Sequence, residues 1–326
     1  MLKAVYQQRG PVPQDVIEAV ECQLPAPAAG EVLLKVLAAP INPSDVLTLT
    51  GEYGMLPPLP ATGGSEGVGR VEELGEGVSN LKAGQTVLLP PGNGTWVSHM
   101  LAKASKLVAL PDADPQQLSM LTVNPPTALL LLKNFVDLQP GDWVIQNAAN
   151  SGVGSYLIQL AKARGLKTVN IVRRESAVAD VQAIGGDVVL VDGPDLHKQV
   201  KAATAGAAIR LGIDAVGGAS TENMANCLSE GAVLVNYGLM SGKPCQMPAS
   251  ALIFREIDLR GFWLLKWYRN ATPAEQMAVF GELIGLIASG KLKTKIAATY
   301  DVSEIKQAVA AAAGGERGGK ILIVPA

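Results

Sequence analysis

Between Trp143 and Arg164 a short apolar run ends in small polar residues, passes through Gly152-Val153-Gly154 and continues as a helical pattern. A glycine where a strand hands over to a helix lets the backbone approach a pyrophosphate, and the helix N-terminus offers it unpaired N–H groups and a positive dipole. The third position of the G-x-G-x-x-G pattern is Leu157, so the pattern is incomplete, and an ordinary strand–helix turn fits the same letters. About 20 residues further on, where NAD-binding folds place an acid for the ribose 2′-OH, this chain has Arg173-Arg174. Two guanidinium groups suit a phosphate and not a hydroxyl, so the expected cofactor is NADPH. A solvated strand edge also carries neighbouring arginines. Tyr237-Gly238-Leu239-Met240 follows a later apolar run. If that run is a parallel strand, the four residues lie at the carboxyl edge where ligands sit, although a plain strand-ending turn fits too.

The early loops supply one candidate acid. Asn42-Pro43-Ser44-Asp45, Gly51-Glu52-Tyr53-Gly54 and Gly63-Gly64-Ser65-Glu66-Gly67 all read as loops. Among them Tyr53 is the side chain suited to give a proton, and equally fits an exposed turn tyrosine. Cys22, Cys227 and Cys245 are far apart, no CxxC pair exists, and the two histidines are His99 and His197. No His/Cys zinc set follows from these spacings. No G-x-S-x-G elbow supports a serine nucleophile. The aromatic cluster Phe262-Trp263 and Trp267-Tyr268 reads as core or interface.

The elements that must position these residues fall into two styles. Runs 31–37, 67–71 and 85–89 read as short strands punctuated by proline and glycine, a pattern that predicts a barrel-like β domain. From residue 116 to 135 the pattern is helical, broken by Asn124-Pro125-Pro126. Strands then alternate with helices: strands 144–146, 168–172, 187–191, 209–214, 232–236 and 259–263, with helices beginning near 154, 176, 196 and 220. Such alternation predicts a parallel sheet with right-handed crossovers. A long helix 273–289 follows, then strand 296–300, helix 303–313 and strand 320–324. A nucleotide domain inserted into a β domain explains why the tail resembles the start. The expected division is 1–121 with 297–326, and 122–296.

With 326 residues, 48% hydrophobic and 17% charged, the chain has material for two sizeable cores. The formal net charge is −2, with no basic block or acidic tail, so nucleic acid and anionic membrane are poor partners. No uninterrupted apolar run approaches the roughly 18 residues of a membrane span. The opening MLKAVYQQRG lacks an apolar signal core and reads as a first strand, so a cytoplasmic protein is expected.

Taken together, the chain resembles the medium-chain dehydrogenase/reductase superfamily over essentially its whole length. The landmarks are AAPINPSD (38–45), the GEYG loop (51–54), GGSEGVG (63–69) and QNAANSGVG (146–154). Zinc-containing members carry a cysteine near Asn42 and a histidine in a G-H-E motif that here reads Gly64-Ser65-Glu66, and the four-cysteine structural lobe is missing. Within the zinc-free branch the chain is similar to trans-2-enoyl-thioester reductases of the mitochondrial type. The similarity lies in NPPTA (124–128), QNAANSGVG, the arginine-bearing strand end, LIFREIDLRGFWL (252–264) and Lys320. It implies an α/β protein with a GroES-like β-barrel catalytic domain plus a Rossmann domain, a doubly wound parallel sheet, assembled as a homodimer. It further implies Tyr53 as proton donor. NADPH contacts would come from Asn124, Asn150, Ser151, Gly152, Val153, Arg173, Arg174, Glu175, Tyr237, Gly238, Leu239, Met240, Phe262, Trp263, Leu264 and Lys320, beside the Gly154 of the turn. A transit peptide like that of the mitochondrial members is not expected ahead of the first strand, so a bacterial cytoplasmic relative is expected, and Arg173-Arg174-Glu175 departs from the family's order of a charged residue between two arginines.

The activity implied is NADPH-dependent reduction of the C2=C3 bond of 2-enoyl thioesters, a small-molecule substrate, with hydride to C3 and a proton to C2. An NADPH:quinone reductase, a reductase of other activated alkenes, and a non-catalytic NADPH-binding protein remain as alternatives on the same scaffold.

Overall fold

Val144, Ile145, Val169, Ile171 and Leu234 are at most 1% exposed. Strands covered on both faces read as near-continuous apolar runs, and these runs build a six-stranded parallel sheet. The computed structural model describes residues 1–92, 94–315 and 318–326. The chain divides into one unit of Met1–Val123 with Gly281–Ala326 and another of Asn124–Phe280.

The second unit holds the parallel sheet. Its strands in chain order are Trp143–Gln146, Lys167–Val172, Val188–Val191, Ile209–Asp214, Val233–Asn236 and Asp258–Gly261. They lie in spatial order 3-2-1-4-5-6. The order reverses between the first and fourth strands, and ligands of such sheets bind outside the strand carboxyl ends at that point. Helices Gly152–Ala163, Val178–Ala183, Leu196–Ala203, Ala219–Ala225 and Ala249–Phe254 fill the connections.

Two sequence expectations are corrected in this unit. Asn124-Pro125-Pro126 opens the helix Asn124–Lys133 instead of breaking one. Proline is tolerated in a first helical turn, where its missing N–H has no intrahelical partner to lose. The sixth strand ends at Gly261, two residues before its expected end, because Trp263 caps the helix Leu264–Asn270.

The first unit is built on the strand Glu31–Pro40. Val68–Leu74 pairs along one edge. The other edge is shared: His99–Lys103 takes Glu31 to Lys35, and Lys320–Ile323 takes Ala39 and Pro40. A separate three-stranded sheet joins Ile17–Glu21, Leu2–Tyr6 and Ala61–Thr62. The barrel expectation is corrected here. The larger sheet runs from Ile296–Tyr300 to the two-residue strand Val108–Ala109, and among the described residues these end strands do not pair. A barrel needs an unbroken ring of pairing, and a two-residue end strand gives it little to close on.

Trp96, fully buried, is the largest side chain of this unit's core and donates its indole N–H to the Pro40 carbonyl at 3.2 Å. It accounts for the glycine-rich loop. A Cβ on Gly63 would stand 2.3 Å from the Trp96 ring and one on Gly64, at φ 95°, 2.6 Å from it. These glycines serve packing.

Candidate active site

The glycine turn of the second unit is built as a cradle. Ser151 caps the helix Gly152–Ala163, its Oγ accepting from the Gly154 N–H at 3.1 Å. Ala148, at the start of the turn, sits in the left-handed region at φ 47°. Such a conformation costs of order 1–3 kcal/mol outside glycine and clusters at functional turns. A Cβ on Gly154 would lie 2.6 Å from the Ala149 carbonyl oxygen, so the helix meets the strand end at a distance only glycine allows. The Tyr237 phenol is hydrogen-bonded to the Ser151 side chain; burial, opposed by that bond and reinforced by Asp214, raises its pKa.

The expected cofactor residues of this unit follow strands of one sheet. Arg173, exposed, and Arg174, half-buried, follow the second strand, with Glu175 opening a short 3-10 turn. Beside them lies a cavity of about 480 Å³ lined by Glu175, Val178, Asp192, Pro194 and Gln199 among others. Tyr237 to Met240 follow the fifth strand, with Leu239 and Met240 well exposed. Phe262 to Leu264 follow the sixth, where the Phe262 ring meets Phe135 edge-on at 6.1 Å. Asn124 is buried at the start of its helix, and Asn150 is exposed beside the turn. The helix N-terminus at the Gly152–Gly154 turn and two guanidinium groups after the second strand suit a phosphorylated dinucleotide.

In the first unit the helix Pro43–Thr50 links two features. At its N-terminus, Asn42 and Asp45 form a capping box, with the Asn42 N–H donating to Asp45 Oδ2 at 2.7 Å. At its C-terminus, Gly51 turns at φ 87°, and the N–H groups of Glu52 and Tyr53 both donate to the Leu47 carbonyl, at 2.9 and 3.2 Å. Tyr53 is thereby carried, half-buried, on a stub fastened to the helix end.

Asn42 also closes a buried polar cluster. Its Nδ2 donates to Glu66 Oε1 at 2.7 Å, and its Oδ1 accepts from Lys320 Nζ at 2.5 Å. Lys320 Nζ further donates to the Ile41 carbonyl at 3.2 Å. Glu66 Oε2 accepts from the backbone N–H and the hydroxyl of Thr122, both at 3.0 Å. Burial raises the pKa of both acids, Asp45 to about 6, while the Lys320 ammonium opposes the rise in each. Among the described residues no group of three or more His, Cys, Asp or Glu is placed to hold a metal ion.

Sequence reading passed over Asn147, Asp192 and Asp214, which form a hydrogen-bonded group under the carboxyl edge of the parallel sheet. Polar residues ending apolar strand runs, as Asp214 does, are the signal that marks them.

Comparison with known proteins follows the division of the chain. The alcohol dehydrogenase GroES-like domain family matches residues 28–112, and the zinc-binding dehydrogenase family matches residues 152–279. The mitochondrial enoyl-[acyl-carrier-protein] reductase of Rattus norvegicus is 39% identical over 314 residues, covering 94% of this chain and 84% of that protein. The solved complex of Etr1p with NADP and crotonyl-CoA superposes with a TM-score of 0.86 at 27% identity, covering 99% of both chains. Etr1p is described elsewhere as part of a mitochondrial 2-enoyl thioester reductase heterodimer from Candida tropicalis. The Escherichia coli quinone oxidoreductase complexed with NADPH superposes with a TM-score of 0.85 at 26% identity over the whole of both chains.

Proposed function

The chain belongs to the medium-chain dehydrogenase/reductase superfamily, and on that premise we propose that it reduces the C2=C3 double bond of 2-enoyl thioesters with NADPH. The observation that carries this reading is Tyr53, fastened to the end of its helix by its own backbone N–H and that of Glu52, in a chain so similar to an enoyl reductase. Bound NADPH supplies the hydride. The chain's own residues have the remaining tasks. The Gly152–Gly154 turn and its helix N-terminus receive the pyrophosphate, and Arg173 and Arg174 receive the 2′-phosphate. Asn124, Tyr237 to Met240 and Phe262 to Leu264 would hold the rest of the dinucleotide, those after the fifth and sixth strands belonging to the half of the sheet that takes its nicotinamide mononucleotide. Reduction adds hydride at C3 and moves the alkene electron pair through C2 onto the thioester oxygen as an enolate. That charge returns as the C2–H bond forms with the proton that Tyr53 holds. Such general-acid help is worth roughly 10²–10⁴-fold.

The test is NADPH oxidation with a crotonyl thioester, comparing the parent with Tyr53→Phe. The variant should lose roughly 10²–10⁴-fold in kcat while still binding NADPH. A parent that leaves the crotonyl thioester untouched overturns the reading. Quinone reduction is the second reading, favoured by the likeness to the Escherichia coli enzyme. Quinones accept hydride without a dedicated proton donor, so Tyr53→Phe would leave that activity in place.

The assembly proposed is a homodimer. The strand Asp258–Gly261 lies at the edge of the parallel sheet with all four residues exposed, and Ile253 and Phe254 nearby are 66% and 76% exposed. An open edge beside apolar side chains is a surface that proteins normally cover. Sedimentation as a monomer at micromolar concentration would exclude this assembly.

A further inference from the structure

Asp214 ends its strand at the carboxyl edge of the parallel sheet and is fully buried. Donors from four segments converge on its carboxylate. Oδ1 accepts from Asn147 Nδ2 at 2.6 Å and from the backbone N–H groups of Val216 and Gly217 at 2.8 and 3.0 Å. Oδ2 accepts from the Thr221 hydroxyl at 2.7 Å and from Asn236 Nδ2 at 3.2 Å. Asn147 follows the first strand, Thr221 lies in the helix Ala219–Ala225, and Asn236 ends the fifth strand. A buried charge adds little to stability that a well-packed apolar residue would not match. What it does supply here is direction, since every donor around it has to point inward.

The loop beyond the fifth strand hangs on the segment that Asp214 holds. The Tyr237 N–H donates to the Asp214 carbonyl at 2.9 Å, the Met240 N–H to that of Ala215 at 3.1 Å, and the Ser241 N–H to that of Val216 at 2.9 Å. The Ser241 hydroxyl adds a second bond to the Val216 carbonyl at 2.6 Å. Residues 215–217 are therefore clamped between the carboxylate on one side and residues 237–241 on the other. A second arm runs from Asn147 Nδ2 to Ser220 Oγ at 3.0 Å, and from Ser220 Oγ to Asp192 Oδ2 at 2.5 Å. Asp192 lines the cavity next to Glu175. The network thus ties together the ends of the first, third, fourth and fifth strands.

We propose that Asp214 is a positioning residue for the nicotinamide end of the dinucleotide site, acting through Asn236 and the loop Tyr237–Ser241. The proposal rests on the NADPH reading. Its signature is a split between turnover and affinity, because misplacing a hydride donor by a fraction of an ångström lowers rate without loosening the phosphates. Asp214→Asn keeps the shape, and the Thr221 hydroxyl and the Asn236 amide can reorient to accept from its new Nδ2.

The experiment measures kcat with a crotonyl thioester, the Kd of 2′,5′-ADP, which lacks the nicotinamide, and the fluorescence of bound NADPH. Asp214→Asn should lower kcat by about tenfold or more and shift the bound-NADPH emission, with the 2′,5′-ADP Kd changing less than about twofold. An unchanged kcat, or a kcat loss matched by an equal weakening of 2′,5′-ADP, overturns the proposal. Should Asp214→Asn not fold, Thr221→Val, which removes a single hydroxyl at constant shape, decides the matter. It should lower kcat by about threefold at unchanged 2′,5′-ADP affinity, and full turnover would overturn the role. A parent protein that binds no NADPH overturns the cofactor reading and the proposal with it. A parent that turns over normally beside an equally active variant overturns only the role of Asp214.

Discussion

In the first unit, Glu66 and Asp45 are buried near the ammonium of Lys320, reached through Asn42. In the second, Asp214 is buried among amides, a hydroxyl and backbone N–H groups. Both arrangements keep a carboxylate out of water, but they fail differently. An ionic arrangement stands on one cation, so a single truncation strands its acids, and protons compete with it. A cage of dipoles divides the task among donors from several segments, so losing one leaves the rest.

The largest expected effect tests the cation. Lys320→Met should cost about 3 kcal/mol in urea unfolding, since it leaves the Asn42 Oδ1 and the Ile41 carbonyl without their buried donor and removes the ammonium that opposes the rise in both acids. A loss near 1 kcal/mol would place the two clusters in one class.

The next effect is a pH dependence. Asp45 has its folded-state pKa raised by burial from 3.8 to about 6. The folded state therefore holds the proton more tightly. That contribution is fully present below pH 3.8 and is lost as pH rises through 6. Asp45→Asn keeps an acceptor for the Asn42 N–H and cannot ionise. Its stability relative to the parent should rise by about 2.4 kcal/mol between pH 4 and pH 7, following 1.36 kcal/mol per unit. Parallel curves for the two proteins would show that burial does not govern this acid.

A smaller effect concerns the arginines. The parent should bind NADPH at least about tenfold tighter than NADH, about 1.4 kcal/mol, and Arg173→Ala with Arg174→Ala should erase the gap in a fluorescence titration. Equal affinities in the parent would refute the 2′-phosphate assignment. The smallest effect tests the cage: Thr221→Val should cost about 1 kcal/mol, since Asp214 keeps its bonds from Asn147, Asn236 and the N–H groups of Val216 and Gly217.

The parallel sheet was legible because its strands, covered on both faces, are apolar runs set between helical periods. The place of Arg173 and Arg174 just past the second strand was legible, because that strand is the apolar run following the helix of the glycine turn. Barrel closure was not, since it depends on which edges pair: Ala39 meets Ile323 across nearly the whole chain. The loop Gly63–Gly67 carries glycines for Trp96, a reason invisible until the ring is in place. Asp214 read as a strand terminus because its donors come from Asn147, Thr221 and Asn236, residues that spacing alone does not bring together.

The bond between Lys320 and Asn42 spans 278 positions. Ribosomes make proteins from the N-terminus, so the acids of the first unit exist long before their cation does. The parallel-sheet unit, by contrast, is one continuous stretch, Asn124–Phe280. It is complete as soon as it has been made. During synthesis the nucleotide unit can fold first, while Glu66 and Asp45 wait for Lys320 to leave the ribosome. A chain cut short before Lys320 would keep the half that binds and lose the charge balance of the half that holds Tyr53.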